Sequence, residues 1–167
     1  MNQEYYVATN ASVLGNVHID EGSSIWFNAV LRCEVGSINI GKTTNIQDGC
    51  IIHTDNDHPV NIGSGVTIGH GCIIHGCTIL DHCLIGMGSI VLNGAIIHDH
   101  CLIGAGSLIT QHMVIPSYSV VYGSPAKIIR TLKPEEIDAI QHSADHYLEL
   151  AQYYADHNQM IIHGLTK

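Results

Sequence analysis

The run Ile79-Leu80-Asp81-His82-Cys83-Leu84-Ile85-Gly86-Met87-Gly88-Ser89-Ile90-Val91-Leu92-Asn93-Gly94-Ala95-Ile96-Ile97 repeats one instruction every six residues. Aliphatic side chains fall at Ile79, Ile85, Val91 and Ile97, and the step continues through Ile103, Ile109, Ile115 and Val121 without a miss. Two residues before the next aliphatic stands a small side chain, at Cys83, Ser89, Ala95, Cys101 and Ser107, with Met113 the one large member. Gly follows the aliphatic at Gly86 and Gly104. A large inward residue, a small inward residue and a turn-permitting Gly in each hexad describe short flat β segments wound into a coil. Three hexads per turn close a triangular prism whose rungs lie about 4.8 Å apart, the ordinary strand spacing.

Toward the N-terminus the same step holds at Ile62, Ile68 and Ile74, at Ile40, Ile46 and Ile52, and at Val13, Ile19, Ile25 and Leu31. The small partner recurs as Ser23, Thr44, Cys50, Val66, Cys72 and Cys77. Composition agrees, because 46% of the residues are hydrophobic yet there is one Trp and one Phe, as a core too narrow for rings requires. Five of the six cysteines sit at the small inward position and read as reduced core filler rather than as ligands or disulfides.

Beyond Val121 the period stops at Tyr122-Gly123-Ser124-Pro125-Ala126-Lys127. Pro134-Glu135-Glu136 then places Pro and two acids in a first helical turn, and Ile137, Ile140, Ala144, Tyr147, Leu148 and Ala151 recur at helical spacing. A helix over about 134–157 is predicted, packed on the coil or on a neighbouring subunit, since alone it is marginal. The fold class is all-β, a parallel β-helix over 1–130, with 131–167 forming a C-terminal α-helical segment. A length of 167 residues suits this single architecture with one appendage.

A net charge of −9 with six Lys and Arg argues against a nucleic-acid partner and against anionic membranes, leaving small molecules and protein neighbours. The opening Met1-Asn2-Gln3-Glu4-Tyr5-Tyr6 has no basic region leading into an apolar run, and a cytoplasmic location is expected.

Thirteen histidines invite an excess of metal sites, and most, including His58, His82, His98, His100 and His112, read as solvated surface. Three differ. His53 follows Ile52 and His75 follows Ile74, and once the insert Thr54–Pro59 is looped out three hexads separate them. They therefore stack on adjacent rungs of one wall, where two imidazoles about 4.8 Å apart can share a zinc-type ion. The same count places Arg32 one rung below His53. His70 lies at the second position after Ile68, on another wall and one rung above Asp48, so within one coil it points away from the other two. A copy related by a threefold axis would supply it, which calls for a homotrimer and brings Gln47 and Asp48 opposite Arg32 across the boundary. The step from Ile74 to Ile79 is five residues instead of six, a break at the hexad that carries His75.

At Asn45-Ile46-Gln47-Asp48-Gly49, at Ile52-His53, at Ile68-Gly69-His70-Gly71-Cys72-Ile73-Ile74-His75-Gly76-Cys77-Thr78-Ile79 and at Ile85-Gly86-Met87-Gly88-Ser89, the sequence resembles the γ-class carbonic anhydrases and their bacterial relatives. The resemblance implies a left-handed coil, a homotrimer, and a metal held by His53 and His75 of one subunit with His70 of the next. Zinc is the expected ion, with iron(II) or cobalt as its substitutes. It also implies catalytic or interface roles for Arg32, Gln47 and Asp48, and a helix tyrosine near the site, for which Tyr147 is the match. The implied activity is hydration of carbon dioxide to bicarbonate by a metal-bound hydroxide at the subunit boundary. Arg32-Cys33-Glu34 departs from the family's Arg-Gly-Asp, and the insert Thr54–Pro59 is shorter than the acidic loop of the most active members. Two other readings stand beside it. One is an acyltransferase or thioesterase acting on coenzyme A esters, suggested by the coil and by Gly123-Ser124-Pro125-Ala126-Lys127; the other is a metal-stabilised trimeric scaffold without catalysis.

Overall fold

The computed structural model describes residues 5–157. The hexads become short parallel strands, most of them only two residues long, such as Thr78–Ile79 and Leu84–Ile85. Stacked rung on rung, they form three walls. Ile25, Ile46, Ile68, Ile85, Ile103 and Val121 are register partners up one wall. Val13, Leu31, Ile52, Ile74, Val91 and Ile109 climb the second. The third carries Ile19, Ile40, Ile62, Ile79, Ile97 and Ile115.

These columns fill the interior as one continuous cluster, and from Ile25 onward every member is essentially without solvent contact. Burying each such side chain contributes about 1.5–3 kcal/mol. The small positions pack between them, and Cys50, Cys72, Cys83 and Cys101 each turn the thiol toward a turn carbonyl, as Ser23 and Thr44 turn their hydroxyls. The six cysteines are free and buried, as core filler should be.

The coil departs from strict hexads at two corners that matter for the site. The long strand Val30–Ile40 carries extra residues around Glu34-Val35-Gly36 and serves both the second and third walls. The insert after His53 is a tight loop in which Asp55 and His58 exchange backbone hydrogen bonds of 3.1 Å.

The last rung is closed by an antiparallel hairpin, Ser119–Gly123 with Ala126–Thr131. The helix Pro134–His157 then runs back along the outside of the first wall. At its start Ile137 and Ile140 pack with Leu84, Leu102, Val120 and Leu132; midway Ser143 meets Thr67; near its end Tyr147 and Tyr154 reach Trp26. Glu136 fixes the first turn, accepting from the Lys133 backbone N–H and taking both amino groups of Arg130. Among the described residues no helix is long and apolar enough to cross a membrane.

Candidate metal centre

The second wall carries Arg32, His53 and His75 as consecutive register partners, each one residue past an inward aliphatic. Strand alternation turns them outward, and the shared column makes them neighbours. His53 Nδ1 and His75 Nε2 face each other at 3.0 Å, with ring centroids 5.0 Å apart. His53 Nε2 lies 3.0 Å from Glu34 Oε2, and the other oxygen of Glu34 is held by Arg32. A carboxylate only accepts, so His53 carries its proton on Nε2 and turns a bare Nδ1 toward His75. Burial, then the Arg32 charge and then the His75 ring hold His53 below the usual imidazole range, against the opposing pull of Asp55. A cavity of about 220 Å³ opens beside this column, lined by Arg32, Glu34, Val35, His53, Thr54, Asp55 and Asn56.

His70 stands elsewhere, past the strand Thr67–Ile68 on the first wall. Its Nδ1 is 2.9 Å from Asp48 Oδ2, which leaves Nε2 as the outward nitrogen of a half-exposed ring. Gln47 is buried and spent within the chain: its Oε1 accepts from the His70 backbone N–H at 3.2 Å and its Nε2 donates to Asn45 at 3.1 Å. Tyr147 packs edge-on to Trp26, and burial, then the charge of Asp48, pushes its phenol up and keeps the proton on. One chain thus makes two half-sites. The first groups Arg32, Glu34, His53 and His75; the second groups Gln47, Asp48 and His70, with Tyr147 within reach of the Asp48 charge. Among the described residues no three metal-ligating side chains converge within one chain.

The donors fit a zinc-type ion. Two nitrogens on one tetrahedral zinc lie roughly 3.4 Å apart for bonds near 2.1 Å, and the His53–His75 separation of 3.0 Å is close to that. An acidic partner on the far nitrogen of His53 and of His70 is the arrangement that orients imidazole ligands.

Sequence reading missed Glu34 as a partner of His53, since Glu34 projects from the extra residues of a corner that the hexad count does not place. It also missed Asn93, whose Oδ1 meets His75 Nδ1. Carrying the register one rung past Ile74 to Val91 would have put Asn93 at that corner. His82 and His100 are not freely solvated as expected. Both take the left-handed backbone at successive corners, half-buried, with His100 stacked on Tyr118 and ring centroids of the two histidines 5.1 Å apart.

Outside the histidine column the second wall presents an apolar strip, in which Val30, Ile51, Ile73, Ile90 and Leu108 are partners and Ile51 and Ile73 are exposed.

A parallel β-helix of hexapeptide repeats with paired imidazoles on one wall is the class that this geometry defines. Residues 76–111 match the family described as bacterial transferase hexapeptide (six repeats). The chain is 45% identical to a probable carbonic anhydrase of Methanocaldococcus jannaschii, over 87% of this chain and 92% of that one. It is 44% identical to gamma carbonic anhydrase 1, mitochondrial, of Arabidopsis thaliana over 95% of its own length, and spans 60% of that longer protein. The crystal structure of a hexapeptide transferase family protein from Anaplasma phagocytophilum superposes with a TM-score of 0.88 at 40% identity, covering 92% of this chain and 90% of the other. The chain belongs to the γ-carbonic anhydrase family of hexapeptide-repeat proteins.

Proposed function

We propose that the protein is a metal-dependent carbonic anhydrase-like enzyme that works as a homotrimer and hydrates carbon dioxide to bicarbonate at sites shared between subunits. The observation that carries this reading is the His53 Nδ1–His75 Nε2 pair, 3.0 Å apart on one wall, with the outward-facing His70 on another. The apolar strip Val30, Ile51, Ile73, Ile90 and Leu108 beside the histidine column is the surface that a neighbouring copy covers. Zinc is the preferred ion, and iron(II) or cobalt would suit the same imidazole donors. The chemistry such an ion supplies when bound is the acidification of a water to a pKa of about 7, which makes a nucleophile for carbon dioxide available at neutral pH.

The chain's residues do the rest. Glu34 holds the proton of His53 on Nε2, and Asp48 holds that of His70 on Nδ1, so each ring keeps a bare nitrogen for coordination. Gln47 pins the backbone of His70. Arg32 neutralises Glu34 and, across the boundary, faces Asp48 of the neighbour. Tyr147, protonated at neutral pH, stands as a hydrogen-bond donor on the His70 side of the site. The cavity of about 220 Å³ beside His53 has room for a small molecule next to the paired imidazoles.

Elemental analysis and stopped-flow hydration on one preparation test this reading. Wild type should carry metal and hydrate carbon dioxide faster than buffer, and His53→Ala, His75→Ala and His70→Ala should each lose both. Full zinc occupancy with no rate above buffer would leave the metal-stabilised scaffold. The transferase-named match over residues 76–111 favours a second reading as a coenzyme A acyltransferase or thioesterase; metal-free protein that turns over acyl-coenzyme A would establish it.

A further inference from the structure

We propose that Asn93, anchored by Asp55, is a positioning residue that sets the tautomer of His75 and aims its Nε2 lone pair at the metal. This rests on the metal-site reading above. Asn93 Nδ2 lies 2.9 Å from Asp55 Oδ2, and Asn93 Oδ1 meets His75 Nδ1. A carboxylate accepts and cannot donate, so the amide must turn its NH₂ to Asp55 and its oxygen to His75. An amide oxygen also only accepts, so His75 must carry its proton on Nδ1. Its Nε2 is then bare, and it is Nε2 that faces His53 Nδ1. Together with the Glu34 contact, the two rings present two lone pairs to one point, an arrangement that a cation between them relieves.

Three features of the fold serve this relay. The insert after His53 reaches up to the rung of Asn93, two rungs above its own, which explains why six residues are looped out there. Asp55 is itself fixed, its Oδ1 accepting from the Asn56 backbone N–H at 2.8 Å, which leaves Oδ2 to take the Asn93 amide. Gly76, in the five-residue step, has no room for a side chain: a carbon added there would lie 2.7 Å from Asn93 Oδ1 and 2.7 Å from His58 Cβ. The absence of a side chain at Gly76 therefore lets Asn93 close on His75.

The test measures zinc affinity of the full-length protein by chelator competition, beside its metal-free melting temperature and oligomer size. Asn93→Leu should weaken zinc by about 10- to 100-fold with the metal-free melting temperature and oligomer size unchanged. Asp55→Ala, which removes only the anchor, should weaken it in the same direction by less. The exchanged pair Asp55→Asn with Asn93→Asp keeps a donor facing an acceptor and should restore affinity to near wild type, a rescue that a merely structural role does not produce. Asn93→Leu binding zinc within about twofold of wild type while His75→Ala loses it would overturn the relay and leave the metal site standing. If His75→Ala binds zinc as wild type does, the metal-site reading itself fails. Nitrogen-15 spectra of histidine-labelled, metal-free protein at pH 8 decide the tautomer independently: a protonated Nδ1 and bare Nε2 on His75 are expected, lost in Asn93→Leu. The same pattern in that variant would refute the assignment.

Discussion

Two glycines flanking His70 predict opposite tolerances. Gly69 has an ordinary backbone, but a carbon added to it would lie 2.6 Å from the Met87 nitrogen and 2.9 Å from the Ile85 oxygen of the next rung. Ordinary contact begins near 3.4 Å, so Gly69→Ala must drive the rungs apart by 0.8 Å. Those rungs are tied by Gly69 N–H to Ile85 O and by Gly88 N–H to His70 O, both at 2.8 Å. Stretching each by that amount passes the limit of a hydrogen bond; the exposed His70 and Gly88 groups can turn to water, but each group of the buried Gly69–Ile85 pair so orphaned costs about 1–3 kcal/mol. Partial relaxation sets the expected loss at about 2–4 kcal/mol. Gly71 is the reverse case, with φ of +68° and nothing within 4 Å of an added carbon. There Gly71→Ala costs about 1–2 kcal/mol for the left-handed backbone alone, and Gly71→Asn less, because Asn28 already takes φ of +58° at the equivalent corner. Urea unfolding at fixed protein concentration should rank Gly69→Ala and Gly69→Asn as severe and Gly71→Asn as mild. A loss below about 0.5 kcal/mol for Gly69→Ala, or equal losses for Gly69→Asn and Gly71→Asn, would refute the claim that rung spacing excludes a side chain there.

Two further outcomes follow from charge and burial. The Arg130 guanidinium, then the Lys133 backbone N–H, hold Glu136 at about 2 from an ordinary 4.5, so its contribution is complete above 4.5 and is lost as pH falls toward 2. Glu136→Gln should therefore lower the melting temperature at pH 7, with the gap to wild type closing across that window; a gap independent of pH would remove the ion pair as its cause. Burial pushes the Cys77 thiol up to about 12, and the other five thiols are buried as well. A maleimide at pH 8 should label none of the six in the native protein and all of them after unfolding, and rapid native labelling would contradict their place in the core.

The fold was legible because the coil is almost one-dimensional: each rung touches only its neighbours, so a register counted along the chain is also a register in space. Ile52 and Ile74 had to be partners, and His53 and His75 with them. The same count separated His70 from that pair and set it above Asp48. The helix was legible because Pro134 and its two acids open it and the apolar spacing carries it as far as Ala151. Legibility ended where residues leave the hexad. Glu34, on an extended corner, and Asp55, on an insert, have no address in a period of six, although both reach the histidine wall. His82 and His100 were misread as solvated for a related reason, because corner positions that adopt positive φ stack along the coil as the inward residues do.

Whether neighbouring subunits share the metal is tested most directly by co-expressing two defective chains, one carrying His70→Ala and the other His75→Ala, and measuring zinc in the mixed oligomer after dialysis against a chelator. Neither chain alone should hold zinc. In random mixtures of the proposed trimer, one boundary in each mixed assembly would join an intact His53–His75 pair to an intact His70, which should restore about one zinc for every four chains. Mixed oligomers as empty as the two parents, or a parent that keeps its zinc unaided, would contradict a site divided between subunits.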